Sequence, residues 1–476
     1  MSQKSLIRGI GTVAAISIII GNVIGTGVFL KARVMTCNVG SPDWVLIAWF
    51  VAGLLSLTGA LTYAELSAMK PFAGGEYVFL RDAYGNLWSF LYGWMQMFIA
   101  KTGSQAAVAV TFAIGLNDFL DGQLKQSVLE TSLLGFRYEV TSLQLIAVGA
   151  IAFFTVLNLA SVSLSGQIAT ILTFIKIGLI FFVAFGAFVW ASGSFSNFFM
   201  AASSGTCEGV NDTVRYGSAS YSFISGFGAA VLGALWGYDG WNNLTLVAGE
   251  VKKPEKNIPL ALIGGTLAII LLYLLANFAY FYVLSPAEIA SVSKDSSVAK
   301  EVVSRFSGGL FAGLSVSIFT IGLMLSSIGT LHTSILTGAR VPFAMAQDGL
   351  MFSSLGKLTE KTRVPYISIL FQGFWASILA LSGSFDKLTD YVIFGSWIFY
   401  ALVTSSVFVF RRRLPQANRP YKVFGYPFVP LIFLIGASLL LINTLISTPF
   451  QALAGIFLIL LGLPVYYYLA KSENRI

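Results

Sequence analysis

At 476 residues, 56% of them aliphatic, aromatic or cysteine and 11% charged, with a mean hydropathy of +0.80, the chain lacks the polar exterior that a water-soluble domain needs. The net charge of +8 would suit a nucleic-acid partner, but the cations flank long apolar blocks, where anionic lipid headgroups attract them. Membrane lipid is therefore the expected surrounding, and no nucleic-acid partner is expected.

The apolar blocks run to roughly 20 residues or more, enough to cross a hydrocarbon core about 30 Å thick. Reading them against charged or Pro/Gly breaks predicts an all-α membrane protein of about twelve transmembrane helices, at 10–36, 43–69, 84–117, 141–158, 164–191, 221–250, 258–284, 306–340, 365–384, 389–410, 427–447 and 450–470. The first block is followed by Lys31 and Arg33 rather than by a small-residue cleavage site, so it is expected to remain as a helix. With both termini placed in the cytoplasm, most of the 29 Lys and Arg fall on inner segments, notably at Lys252, Lys253 and Lys256, at Arg411, Arg412 and Arg413, and at Arg419 and Lys422. Lys101 and Lys176 instead fall inside helices. Cys37 and Cys207 are the only cysteines and both fall outside in this topology, where they could pair or remain as two apolar thiols. No metal-ligand spacing, nucleophile elbow or phosphate loop appears, so no cofactor, metal or enzyme chemistry is expected.

Two helices carry an unusual interruption. Residues 21–29 read GNVIGTGVF, three glycines at mid-membrane depth, and residues 236–243 read WGYDGWNN, a glycine-interrupted polar stretch in an apolar helix. Their separation matches that of Pro42 and Pro259, at the starts of the following helices. Grouping the helices as five, five and two gives one transporter domain over 1–476, with a first repeat at 10–191, a second at 221–410, and two accessory helices at 427–470. Five is odd, so the second repeat would enter from the opposite side, an inverted repeat with a broken helix leading each half. Unwound backbone in lipid must find polar partners. A zwitterion supplies them, its carboxylate at the amides of one half-helix and its ammonium at the carbonyls of the other. Gly21 and Gly25 also have the spacing that allows close helix packing.

These stretches resemble the amino acid-polyamine-organocation superfamily of LeuT-like fold, and within it the L-type amino acid transporter group. GNVIGTGVF is similar to that group's first-helix signature, YAELSAMKPFAGGEYVFLRDAYG (63–85) to its first inner loop, and GYDGWNN with EVKKPEKNIPLAL (250–262) to its sixth helix and following loop. LTGARVPFAMAQDGL (336–350) and RPYKVFGYPFVP (419–430) resemble later loops, so the likeness spans about residues 8 to 430. The resemblance implies a substrate site of Val23, Ile24, Gly25, Thr26, Gly27, Trp236, Gly237, Asp239 and Asn242. The amides of Thr26 and Gly27 would meet the substrate carboxylate. The carbonyls of Val23, Trp236 and Asp239 would meet its amine, with Trp236 as an aromatic gate and Asn242 lining the pocket. It further implies that Lys176 stands where sodium-coupled relatives hold a sodium ion, with Gly21, Ile24 and Ser326 as partners. A lysine this deep is costly unless paired. Asp239, where several neutral amino acid carriers of the group have glycine, could favour cationic substrates or pair internally with Lys101 or the Trp241 indole. His332, where many relatives have asparagine, reads more readily as a hydrogen-bonded packing residue than as a proton sensor.

The expectation is a sodium-independent amino acid transporter or exchanger of a cell (inner) membrane, working by alternating access on neutral L-amino acids. A proton-coupled permease for cationic amino acids is the alternative mechanism, and a transporter-like amino acid sensor the alternative class. Polar positions cluster at mid-depth rather than forming a continuous lining, which speaks against a channel. The light chains of the resembled group join a heavy subunit through a cysteine between helices three and four. Residues 118–140 contain none, so no disulfide-linked heavy subunit is expected.

Overall fold

The computed structural model describes residues 6–120, 122–124, 126–133, 136–202, 204–293, 296–307, 313–382, 385–447 and 449–472. Among them, 9 helices or helix pairs are long and apolar enough to cross a membrane: Thr12–Val39, Pro42–Met69, Asn86–Asn117, Val162–Val189, Pro254–Val283, Ser315–Gln347, Ile393–Arg413, Phe428–Ile446 and Ala452–Leu469. Two shorter apolar helices, Ser142–Leu157 and Tyr366–Leu381, and the interrupted pair Phe223–Tyr238 and Asn243–Glu250 fill the remaining places in the expected order. The spans are numbered one to twelve below in that chain order. This is a multi-pass, all-α membrane protein. Its outer surface is apolar where lipid would lie, with Phe185 63%, Leu271 68% and Leu439 63% exposed, which no water-soluble helix packing would leave open.

The polar side chains are turned inward. Span two packs against span seven, span three against span eight, and the first half of span one against span five. Between these helices lie Lys101, Lys176, Glu76, His332 and Asn277, all buried. Starts and stops follow local chemistry. Pro42, after Ser41, opens span two and Pro254 opens span seven, places where the missing amide costs nothing. Thr141 and Gln144 form a reciprocal cap at the start of span four.

Several elements have no counterpart in the twelve-helix expectation. The 118–140 loop contains an antiparallel hairpin of Ser127–Leu133 and Phe136–Thr141. Short helices Glu76–Tyr84, Pro286–Ser291 and Val298–Ser304 lie in the connections, and Arg340–Gln347 continues span eight past its expected end at 340. Span eight begins at Ser315; of the stretch expected at its start, residues 306, 307, 313 and 314 precede the helix and 308–312 lie outside the described residues. Span three contains a π-turn at Gln96–Ala100, immediately before Lys101. Cys37 and Cys207 are joined as a disulfide, 170 residues apart in sequence, linking the far end of span one to the connection before span six. The face carrying this bond is opposite the one carrying Ile10 and Glu250, here called the terminal face.

Candidate functional site

Span one is broken between Val23 and Gly27. The Gly25 amide turns back onto the Val23 carbonyl at 2.8 Å, a tight turn centred on Ile24 with φ −73° and ψ 87°. The helical ladder is interrupted there, and the amides of Thr26, Gly27 and Val28 donate to no acceptor among the described hydrogen bonds. Three amides thus crown the positive end of the half-helix Gly27–Val39, the arrangement that receives a carboxylate. Span six breaks after Tyr238. Gly240, at φ +103°, makes the reversal that an L side chain would resist, and the chain resumes as a tight helical segment at Asn243. The two breaks touch. A Cβ on Gly27 would stand 2.6 Å from the Gly237 Cα, so glycine is what lets the half-helices approach.

The carbonyls released by the first break are taken up by span five. Lys176, fully buried, places Nζ 2.6 Å from the Gly21 carbonyl, 2.6 Å from the Ile24 carbonyl and 2.6 Å from Thr330 Oγ1. Ser326, the residue expected on span eight, does not take this place. Its hydroxyl donates to the Ile24 carbonyl at 3.3 Å, while Thr330, one helical turn on, receives the ammonium proton. No motif marks Thr330, although its four-residue spacing from Ser326 places both on one helix face.

Other expected residues are also differently engaged. The Val23 carbonyl accepts the Tyr273 hydroxyl at 2.9 Å as well as the Gly25 amide, and Tyr273 also reaches the Gly237 carbonyl at 2.8 Å. The Trp236 carbonyl accepts from the Asp239 amide. The Trp236 ring ends the first half of span six, half-buried, with Lys31 Nζ 5.9 Å from its centroid. Asn242 turns away and donates to Glu76 Oε1 at 2.8 Å. Glu76 is also held by Tyr63 and Tyr92. Asn243, the next residue, faces the polar cavity instead.

That cavity, about 30 Å³, lies between spans one, three, six, eight and ten. Gln96 and Lys101 reach it from the two ends of the π-turn, Asp239 and Asn243 from the second break. Asp239 Oδ1 accepts from Tyr400 OH at 2.8 Å, and Lys101 donates to Asn243 Oδ1, so Asp239 pairs directly with neither Lys101 nor Trp241 among the described contacts. His332 is buried outside the cavity. Its Nε2 lies 2.9 Å from the Ser165 carbonyl and its Nδ1 3.1 Å from Asn158 Nδ2, which together fit a neutral ring donating through Nε2. Among the described residues no cluster of three or more His, Cys, Asp or Glu side chains could hold a metal.

At the terminal face the start of the chain is clasped to the end of span six. Ile10 bonds Glu250 and Lys252 through backbone at 3.0 and 2.8 Å, and Glu250 pairs with the buried Arg340 through contacts of 2.7 and 2.9 Å.

Known proteins share this framework. The serine/threonine exchanger SteT of Bacillus subtilis is 32% identical over 99% of this chain and 99% of its own length. The b(0,+)-type amino acid transporter 1 of Mus musculus is 28% identical, covering 98% of this chain and 89% of the relative. The large neutral amino acids transporter small subunit 2 of Mus musculus is 30% identical, covering 97% and 81%. Residues 10–467 match the amino acid permease family throughout both broken helices and the cavity between them, and the chain belongs to that family of amino acid transporters.

Proposed function

We propose that this transporter exchanges neutral L-amino acids across a cell membrane by alternating access, without sodium, both termini lying in the cytoplasm. The observation that carries the reading is the Lys176 ammonium held by the Gly21 and Ile24 carbonyls and Thr330. It supplies a fixed positive charge at the unwound backbone, where a mobile cation would otherwise be needed. The free amides of Thr26 and Gly27 would bind the substrate carboxylate. Its ammonium would meet carbonyls of the second break, with Asp239 the better candidate because the Val23 and Gly237 carbonyls are already engaged by Tyr273.

A cavity of about 30 Å³ holds about two waters, far less than an amino acid. Entry therefore requires the half-helices to move, as the inverted pair of five-helix repeats would allow. The relatives' names, an exchanger and two amino acid transporters, agree with this reading. With its two cysteines bonded to each other, the chain would work without a disulfide-linked heavy subunit, and it would be a carrier rather than an enzyme.

Asp239 in the cavity favours one second reading, a proton-coupled permease for cationic substrates. Counterflow into proteoliposomes with sodium replaced by choline tests both. Saturable exchange of a labelled neutral amino acid supports the proposal. A strict sodium requirement refutes the role of Lys176, net uptake that dissipates a proton gradient favours the permease, and binding without flux would make the protein a sensor.

A further inference from the structure

The two helices that hold the Lys176 ammonium leave a groove on their lipid side. Span five lines it with Ile175, Gly178, Leu179 and Phe182; span eight answers with Ile318, Ile321, Gly322 and Leu325. Each set follows the spacing of a single helix face, so the two faces look at each other across the groove. A Cβ on Gly322 would lie 2.6 Å from Leu179 Cδ1, whereas one on Gly178 would meet nothing within 4 Å. Glycine on span eight therefore seats the floor, and glycine on span five leaves the slot open. The void measures about 380 Å³, against about 30 Å³ for the polar cavity.

This groove lies at hydrocarbon depth. Span five starts at Val162, beside Gly9 at the terminal face, so Ile175 falls at the middle of its 28 residues and Phe182 toward the disulfide-bearing face. The rise between those two residues is about 10 Å, within a half-core about 15 Å deep. Phe174, Phe181 and Phe185 around it and Ile321 on its rim are exposed, so the groove is continuous with the lipid-facing surface. Water is a poor occupant, because hydrocarbon side chains supply none of the hydrogen bonds that hold it. An empty void would deprive the walls of dispersion contacts. A lipid tail meets both conditions.

We infer that the groove between spans five and eight binds one acyl chain of a phospholipid from the leaflet on the disulfide-bearing side, and that the chain braces the helix pair holding Lys176. Lys176 and Ser326 directly follow Ile175 and Leu325, the groove residues nearest mid-membrane, and both bond the Ile24 carbonyl. Spans five and eight have no slack there, since a Cβ on Gly329 would lie 2.9 Å from Lys176 Cε. Bulk lipid is as apolar as the walls, so the tail is held by shape and dispersion rather than by transfer from water.

Gly178→Leu places a side chain where the tail lies. Gly264→Leu, on an exposed face of span seven where a Cβ also meets nothing within 4 Å, controls for the loss of a helical glycine. The full-length protein and both variants are reconstituted in phosphatidylcholine vesicles containing a phosphatidylcholine with a diazirine midway along one chain, irradiated, and mapped by mass spectrometry. Adducts should concentrate on residues 175–182 and 318–325 over the lipid-facing sides of spans eleven and twelve. That excess should fall about tenfold in Gly178→Leu, a loss of about 1.4 kcal/mol, and persist in Gly264→Leu. In a common detergent, phosphatidylcholine added to delipidated protein should raise the Tm of the unaltered protein and of Gly264→Leu, and that of Gly178→Leu much less.

Even labelling of the lipid-facing surface, or groove labelling unchanged by Gly178→Leu, would mean bulk lipid only and overturn the site. Equal rises in Tm for all three proteins would overturn the brace. Should Gly178→Leu fail to fold, the distribution of adducts on the unaltered protein decides alone. A disulfide-linked dimer of Ile321→Cys under mild oxidant, with no adducts in the groove, would give it to a second copy of the chain and overturn the inference.

Discussion

At Lys176 a single side chain closes hydrogen bonds that the broken span one leaves open. The Gly21 and Ile24 carbonyls face a fully buried ammonium, and charge-assisted bonds of this kind contribute about 1.5–3 kcal/mol each. Lys176→Ala leaves those carbonyls without their strongest donor, so substrate affinity or turnover should fall steeply although the side chain need not touch substrate. Thr330→Val keeps the shape and removes one partner of the ammonium, so it should act in the same direction and less. Equilibrium binding of a labelled neutral amino acid to purified protein ranks the two; a Thr330→Val loss equal to that of Lys176→Ala would mean that the hydroxyl, not the ammonium, organises the break. Sequence likeness points to Lys176, both carbonyls and Ser326; in the structure Lys176 bonds the two carbonyls, and Thr330 rather than Ser326 is its side-chain partner. Both lie on one face of span eight, and which reaches Nζ depends on the helix's rotation and depth, which no motif encodes. Arg340 and Glu250 likewise lie in the LTGAR and EVKKPEK stretches, which carry no mark that the two pair. Their contact joins span eight to span six across 90 positions. Arg340→Ala would strand the Glu250 carboxylate in a site with 0% exposure of either side chain, costing about 3–5 kcal/mol, which a thermal melt of the purified protein would register as a large drop.

The broken helices are the elements the sequence announces most clearly, because glycine and polar residues at mid-membrane depth have few other uses. Close packing and chain reversal turn out to be joint uses of the same residues. A Cβ at Gly27 would lie 2.6 Å from the backbone of Gly237, which cannot rotate away, whereas a Cβ at Gly25 would lie 3.4 Å from the Thr330 hydroxyl, which can. Gly27→Ala should therefore push the half-helices apart, with overpacking costs of about 1–3 kcal/mol, and weaken substrate binding more than Gly25→Ala does. Titration of both variants with the same labelled amino acid decides it, and a milder effect at Gly27 would show that the half-helices are not wedged against each other. Thr26→Pro removes one of the free amides and should lower binding sharply, with undiminished uptake at normal expression counting against a carboxylate at that turn. The elements that leave no mark in the sequence share a physical cause. The connecting helix Glu76–Tyr84 and the terminal segment Arg340–Gln347 of span eight are too short for a periodic signal, the hairpin strands alternate over only a few residues, and the π-turn at Gln96–Ala100 adds one residue to a span whose composition is unchanged by it.

Across the whole molecule the first span is held at both ends, and the two attachments differ in kind. At one end the Cys37–Cys207 bond ties it covalently to the connection before span six; sequence alone left this open, because pairing depends on how a connection of many residues folds back over the helix ends. Reduction should lower thermal stability by an amount on the order of 2–4 kcal/mol, read from melts of oxidised and reduced protein. At the other end the contacts among the described residues are noncovalent, and they include backbone hydrogen bonds between Ile10, Glu250 and Lys252, the Arg340–Glu250 pair and the Thr12–Asn257 hydrogen bond. Alternating access requires a barrier that opens in every cycle, and a covalent bond cannot be that barrier while noncovalent contacts can. Ile10 and Val251 are bridge partners in parallel register, a placement that brings Cα atoms to roughly 5 Å, within disulfide reach. Ile10→Cys with Val251→Cys, in a Cys37→Ser and Cys207→Ser background, should cross-link under mild oxidant, stop exchange, and regain it on reduction. The background alone should be less stable but still transport. Full exchange by quantitatively cross-linked protein would mean that the terminal face does not open at this point, and that the half-helices pass substrate by a route that leaves Ile10 beside Val251.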